Sequence, residues 1–407
     1  MTRRSNVERS PWREALTPWA ATRLAVLLVT MLAAILLPSS PDRSWYLSAA
    51  EPRNPFAVWD STWYREIALI GYPEGEGVAD PFAFFPLYPM IVRGVRALGA
   101  HVWEAAVLVS NVSFYLALVG LWALTRRLHG TAAARRTVLY LAAFPFSFYF
   151  SHGYAESLFL MLTVATFLFA EQRRWSACAV TGAAAALTRP FGVLMVLPAA
   201  VWALRALPRR DAGGKPDDDS PAIAHVVAGT PETKPPAREV AGPLVAVVAP
   251  LLGIGAYSLF CALRTGDPLA WLHAHQSWGY ELGTSPLLGY TTFFEKVYNF
   301  GLYGSLTSYP YSIYEFIGAM IAAAFVLFTI LVASRLGAAY FVWSLAMLAV
   351  PLGSGSWEAL GRYCSLNFPV FMALATLENR TLDIIMTVAA AVLLGLLAAL
   401  FVSHPLT

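Results

Sequence analysis

Four charged residues break or border apolar stretches of this chain and are of types that carry chemistry: Asp60, Glu156, Arg189 and Arg362. Asp60 sits between Trp59 and the run Ser61-Thr62-Trp63-Tyr64. A carboxylate in an aromatic, membrane-hugging loop can accept the proton of an attacking hydroxyl. The same residues also read as a helix start, with Asp60 as the N-cap. Glu156 falls at the mouth of an apolar run, either as a second active-site carboxylate that orients an acceptor or supports Asp60, or as the solvated end of a span. Arg189 lies between Thr188 and Pro190 in an otherwise apolar stretch. A charge at membrane depth is costly unless paired or solvated. A guanidinium fork suits phosphate oxygens, and the competing reading is a side chain snorkelling to the surface. Arg362 with Tyr363 carries the same two readings, and Arg264 and Lys296 are weaker positions of the same kind. Trp59, Trp63, Tyr64 and Tyr154, with His152, are read as substrate-binding, although such rings also suit an interfacial belt and His152 a polar interfacial place.

Metal chemistry is not expected. Ser61 and Thr62 follow Asp60, so no Asp-x-Asp pair forms there, and no His/Cys cluster occurs. Asp217-Asp218-Asp219 reads as a solvated acidic tract. Neither a glycine-rich dinucleotide loop nor a phosphate-binding P-loop is present, so a nucleotide donor has no visible cradle and no cofactor is expected. Cys178, Cys261 and Cys364 are far apart and read as ordinary buried thiols.

The elements that must position these residues are set by composition. The 407 residues are 57% hydrophobic and 13% charged, against roughly 25% charged in soluble domains, with mean hydropathy +0.56. This excludes an ordinary soluble enzyme and points to an all-α, polytopic transmembrane bundle. Long apolar runs without short alternating strands oppose a β-barrel. Lysine occurs only at Lys215, Lys234 and Lys296, and no basic patch stands outside the membrane flanks, so nucleic acid is not a partner.

Apolar runs predict about 11 spans, near 20–38, 103–125, 137–151, 157–170, 175–189, 191–207, 242–263, 313–334, 338–353, 365–378 and 382–403. No small-residue cleavage site follows the first, so it is read as a retained span. Arginines recur in alternate connections: Arg3, Arg4, Arg9 and Arg13, then Arg126, Arg127, Arg135 and Arg136, then Arg173 and Arg174, then Arg205, Arg209 and Arg210, then Arg335, then Arg380. The positive-inside rule makes these connections cytoplasmic. The N-terminus is then cytoplasmic, and Asp60, Glu156, Arg189 and Arg362 all fall on the opposite face. Residues 39–102 become a first outer loop with interfacial helices. Residues 208–241, rich in Pro, Gly, Asp and Thr, read as a disordered cytoplasmic linker. Residues 264–312 read as an outer interfacial segment anchored by Trp271, Trp278, Tyr280, Tyr290 and Phe294. All 407 residues form one integral membrane domain, expected in a bacterial plasma membrane.

The order of short motifs resembles the PIG-V family. Trp59-Asp60 with Trp63-Tyr64, Ile67-Ala68 and Gly71-Tyr72 is similar to its first-loop pattern, and Phe82–Pro89 to the aromatic-proline element that follows. Phe144-Pro145 with Tyr154-Ala155-Glu156-Ser157, Thr188-Arg189 with Gly192, and Arg362-Tyr363 with Pro369 resemble later elements. The resemblance covers residues 20–200 well and 355–375 weakly, and 208–312 match nothing in it. It implies a GT-C-like mannosyltransferase using a polyprenyl-phosphate sugar donor, and it gives Asp60 the role of catalytic base. The expected reaction is inverting and metal-independent. It carries mannose to a hydroxyl of a lipid or glycan acceptor among membrane lipids. The alternatives are a lipid or sugar-lipid flippase, and the same enzyme with another sugar such as arabinose.

Overall fold

The computed structural model describes residues 10–37, 54–56, 58–75, 80–207, 237–277, 288–307, 312–354 and 359–403. Among them the structure is helical, with short 3-10 turns and no strand. Five helices are long and apolar enough to cross a membrane. With the shorter apolar helices between them, they make this a multi-pass integral membrane protein.

Helix α1 (Pro11–Leu36) begins well before the apolar run at 20–38. Its polar first turns are satisfied by neighbours: Glu14 pairs with Arg135 at 2.8 Å, and Trp19 donates to the Asn111 carbonyl at 3.0 Å. Its lipid-facing side is a stripe of exposed Leu24, Leu28, Met31 and Ile35 at helical spacing. Helix α2 (Asp60–Ile70), a 3-10 turn at Asp80–Ala83 and α3 (Leu87–Arg96) form the described part of the first loop.

Helix α4 (Val102–Ala143) joins two expected spans in one element but is non-helical at Gly130, with φ 81°. Ser151 Oγ donates to Asn111 Oδ1 at 3.2 Å, and Phe150 stacks on Phe114 at 4.4 Å. A straight helix would put residue 143 roughly 48 Å beyond residue 111, and eight further residues reach at most about 28 Å. The chain therefore doubles back at Gly130, and glycine allows the left-handed backbone this requires. Arg126, Arg127, Arg135 and Arg136 flank the reversal.

Helices α5 (Glu156–Glu171) and α6 (Trp175–Thr188) follow, then a 3-10 turn at Pro190–Met195 and α7 (Val196–Ala206). Helix α8 (Ala237–Thr265) packs along α6 and α7. It begins at Ala237, so residues 237–241 are helical where the sequence suggested linker, and the rest of that linker lies outside the described residues. Helices α9 (Ala270–Ser277) and α10 (Leu288–Thr307) lie in the described part of the 264–312 segment. Trp271 packs against Phe85 and donates to Ser258, and Phe294 is exposed, while Trp278 and Tyr280 lie outside the described residues. Helices α11 (Ser312–Leu336), α12 (Ala338–Leu352), α13 (Leu360–Leu366), α14 (Phe368–Leu374) and α15 (Arg380–Ser403) complete the bundle. The run at 365–378 is not one span. It breaks at Asn367, which caps α13, and Pro369 starts α14 afresh.

The bundle has two chemically different ends. Glu171, at the end of α5, accepts a hydrogen bond from Tyr340 at the start of α12, and Arg205 approaches Gly337. Arg136 pairs with Asp383 at 3.1 Å and donates to the Ala375 carbonyl. Glu171, Tyr340, Arg205 and Gly337 thus meet at one end of α5, and Glu156 opens its other end.

Glycine sets a close approach at Gly192. A Cβ there would lie 2.3 Å from backbone atoms of Ala185 and Ala186, which cannot move aside. Gly192→Ala is expected to destabilise the detergent-solubilised protein by the ~1–3 kcal/mol typical of overpacking, read as a lowered thermal midpoint. Gly395→Ala, whose Cβ meets open space, is the control and should be neutral. Equal midpoints for the two variants would contradict this packing.

Candidate active site

Four elements far apart in sequence bring the four charged residues into one cluster. Asp60 is the first residue of α2, and Glu156 is the first of α5. Arg189 ends α6, and Arg362 lies in the first turn of α13. Arg362 spans the cluster: its Nη1 donates to Asp60 Oδ2 at 2.5 Å and its Nε to Glu156 Oε1. Arg189 Nη1 donates to that same Glu156 oxygen. Glu156 is therefore shared between two guanidiniums. Its Oε2 and Arg189 Nε are buried with no hydrogen-bond partner among the described residues. Buried polar groups are normally paired, so these two atoms are open to a further hydrogen-bonding partner.

Each position has a local cause. Pro190 pushes the residue before it out of the helical region, and Arg189 is extended at φ −154°, ψ 150°. Gly192 lets the following 3-10 turn fold tightly onto the end of α6, with its N–H on the Arg189 carbonyl at 2.9 Å. Gly361 lets the Phe146 ring lie against α13, where a Cβ would come within 2.2 Å of it. Trp59 adopts φ 65°, an uncommon and strained backbone for a bulky residue. This turn is over-determined: the Val58 carbonyl accepts from Ser61 Oγ at 2.7 Å and from Tyr154 Oη at 2.9 Å. The N-cap of α2 is Trp59, and Asp60 is the first helical residue. Its carboxylate reaches Arg362, which removes the N-cap reading.

Exposure assigns different work to the two carboxylates. The Asp60 side chain is 31% exposed and Glu156 is 0% exposed. The guanidinium side chains lie between, at 11% for Arg362 and 9% for Arg189. Asp60 is the more accessible carboxylate, and Glu156 holds the arginines from beneath. Neither arginine snorkels.

The aromatic positions divide likewise. The Tyr154 ring lies 4.8 Å from the Arg362 guanidinium, so its ring and hydroxyl tie Arg362 to the Asp60 turn. Tyr363 packs under Arg189 at 5.6 Å and against Phe191 at 4.7 Å. Trp63 stacks on Phe84 at 5.8 Å, and Tyr64 is buried edge-on against Phe84 and Tyr88. Trp59 is half-buried beside Asp60. His152 is not brought to the cluster. Its ring is fully buried among Phe56, Phe148 and Phe401, with Nδ1 on the Phe148 carbonyl at 2.9 Å. Burial pushes its imidazole down to about 4, so it stays neutral there. Arg264 pairs with Glu74 near the surface, and Lys296 lies on α10.

Several contributors carry no signal in the linear pattern. Tyr149 covers the other side of Arg362 at 5.1 Å and shares a 2.5 Å hydrogen bond with Tyr314. Arg23, in mid-α1, is buried, with Nη1 on the Ser147 carbonyl at 2.6 Å and Nη2 on the Ala142 carbonyl at 3.1 Å. It thereby fixes the Ser147–Ser151 turn that presents Tyr149. His275 on α9 faces the charges of Arg189 and Asp60. Burial, then the nearby arginine, holds its imidazole below the usual value, against the opposing hydrogen bond to the Trp271 carbonyl and the charge of Asp60.

Residues 81–212 match the sequence profile of the dolichyl-phosphate-mannose-protein mannosyltransferase family. That segment contains Glu156 and Arg189 and leaves Asp60 and Arg362 outside it. The chain is also similar to the solved structure of ArnT from Cupriavidus metallidurans bound to undecaprenyl phosphate, at 18% identity and a TM-score of 0.46 over 88% of this chain and 60% of that one. A second similarity is to the archaeal oligosaccharyltransferase AglB from Archaeoglobus fulgidus in complex with an inhibitory peptide and a dolichol-phosphate, at 13% identity and a TM-score of 0.43 over 95% and 56%. The chain thus spans little more than half the length of these structures. No curated protein sequence matches it.

Glu156→Ala leaves two buried guanidiniums facing each other. It is expected to cost about 3–5 kcal/mol, as for other broken buried ion pairs, seen by chemical unfolding in detergent. Glu156→Gln, which keeps an acceptor oxygen, should cost less. Wild-type stability in both variants would mean that Glu156 does not hold the arginines.

Proposed function

We propose that this chain is an inverting membrane glycosyltransferase of the GT-C type. It moves a hexose, mannose, from a polyprenyl-phosphate carrier to a hydroxyl of a lipid or glycan acceptor on the non-cytoplasmic face. The observation that carries this reading is the meeting of an accessible carboxylate with two arginines held by one buried carboxylate, inside a membrane bundle. The match of residues 81–212 to a mannosyltransferase family and the resemblance of the first loop to PIG-V proteins support the donor class.

The acceptor oxygen attacks the anomeric carbon while Asp60 takes its proton. The transition state has oxocarbenium character. The phosphate leaves from the opposite side of the sugar with its charge facing Arg189 and Arg362, so no general acid is needed. Attack on the face opposite the departing phosphate inverts the anomeric carbon. Glu156 keeps the guanidiniums in place and is a positioning residue. Since Asp60 and Glu156 are both engaged by guanidiniums, the reaction is proposed to run without a metal.

Purified protein incubated with polyprenyl-phosphate-mannose and a lipid extract should give products heavier by one hexose in mass spectrometry. Asp60→Asn should lower turnover at least ~100-fold, in line with loss of a general base. Activity should persist in EDTA. Absence of any hexose product would reject the reading, and loss in EDTA restored by Mg²⁺ would reassign the carboxylates as metal ligands.

Orientation is tested separately. Glu66 on α2 and Arg127 beside the Gly130 reversal are both exposed, whereas Cys178, Cys261 and Cys364 are buried and should give little background. Single Glu66→Cys and Arg127→Cys proteins are expected to label with an impermeant reagent from opposite sides, Glu66→Cys from outside. Labelling of both from one side would overturn the assigned face.

A further inference from the structure

We propose that Arg362 couples the two ends of the transfer: it holds Asp60 while that residue is charged, and turns to the leaving phosphate when Asp60 takes the acceptor's proton. This rests on the glycosyl-transfer reading above and adds a role beyond charge stabilisation.

The argument begins with counting charges. Two guanidiniums face two carboxylates, so the cluster is neutral as it stands. Arg362 is the only cationic side chain paired with Asp60 among the described residues. It is also joined to Arg189 through the shared oxygen of Glu156. Rings of Tyr149 and Tyr154 at 5.1 and 4.8 Å lie against the guanidinium. They restrict where it can go without adding a charge of their own.

The step balances on these groups. The acceptor oxygen forms a bond to the anomeric carbon. The bond from that carbon to the phosphate oxygen breaks, and its electron pair stays with the phosphate. The hydroxyl proton goes to Asp60. The donor is a phosphodiester with one negative charge, and the departing phosphate monoester gains up to a second. One unit of negative charge thus disappears from Asp60 as another appears on the phosphate. Before the step Arg362 has an anionic partner in Asp60; after it, the anion that needs a partner is the phosphate. In a low-dielectric site an unpaired charge is expensive. Transfer of Nη1 between the two anions keeps the guanidinium paired throughout, while Nε stays on Glu156. Arg189, whose buried Nε has no partner among the described residues, receives the phosphate from the other side.

The consequence is unusual for loss of a catalytic base. Asn at position 60 imitates the protonated carboxylate and releases Arg362. Asp60→Asn, although inactive, should bind the product-like monoester farnesyl phosphate about tenfold more tightly than wild type, the worth of one charge-assisted hydrogen bond. Simple removal of a nearby negative charge would also tighten binding, so the decisive comparison is a cycle with Arg362→Gln. The gain from Asp60→Asn should vanish in the Arg362→Gln background. Dissociation constants in detergent, by isothermal titration calorimetry, read all four proteins. Arg362→Lys serves if Arg362→Gln does not fold, because one ammonium cannot hold Glu156 and a second anion in the same geometry; there the gain should shrink. Equal gains in both backgrounds, or no gain with Arg362 present, would overturn the coupling while leaving the glycosyltransferase reading intact. Failure of wild type and Asp60→Asn alike to bind farnesyl phosphate would reject the polyprenyl-phosphate donor itself, and the coupling with it.

Discussion

The structure depends on one buried carboxylate. Glu156 is inaccessible, opens α5, and binds two arginines with one oxygen. Without those partners a carboxylate there would not remain charged, and without Glu156 two guanidiniums would repel in a poorly solvating interior. The N-terminus of α5 adds a favourable field for negative charge. Once this contact forms, it fixes the end of α6 through Arg189 and the start of α13 through Arg362. Through Arg362 it also fixes the turn that carries Asp60. Four segments separated by most of the chain are brought into register by three ion pairs.

Packing supplies the rest of the precision. Ion pairs alone tolerate several geometries, but a guanidinium between two tyrosine rings tolerates fewer. Tyr149 is presented by a 3-10 turn whose carbonyl is held by Arg23, and Tyr154 is tethered to Val58. The first loop is joined to the bundle by its own aromatic-proline run. Tyr257 Oη on α8 donates to the Phe82 carbonyl at 2.8 Å, and Arg93 Nε closes the end of α2 by donating to Ala68 at 2.8 Å. The described part of the loop is thus a packed part of the fold.

The cluster's members were legible in the sequence because charge is rare in this chain. Arginines and acids inside apolar runs stand out, and the alternation of basic connections placed all four on one face. Their connectivity was not legible. Nothing in the spacing shows that Arg362 reaches Asp60, since contacts across 302 residues depend on tertiary packing. Arg23 escaped notice because a basic residue near the start of a first span normally reads as a flank; here carbonyl acceptors from another segment satisfy it. His152 misled for the opposite reason. A histidine two residues from a motif tyrosine looks functional, yet three aromatic rings close over it. Helix ends also moved where chemistry overrode hydropathy. The Glu14–Arg135 pair extends α1 backwards, and the Asn367-Phe368-Pro369 sequence divides a run that hydropathy alone makes continuous.

Local neutrality then restricts what the site can bind. A cluster with two free guanidiniums would attract many anions, including headgroups of surrounding lipids. Here both are already matched, so an arriving phosphate gains only what it takes from Asp60 or finds on the unpaired face of Arg189. In the proposed reaction, weak attraction to a resting lipid phosphate and strong attraction to one that gains charge would amount to preference for the transition state over the ground state. The deep carboxylate lowers affinity for every anion alike. In the proposed coupling, Asp60 gives up its share only when a proton reaches it. In a bilayer, where phosphate headgroups vastly outnumber any sugar carrier, the proposed arrangement would favour reaction over mere occupancy.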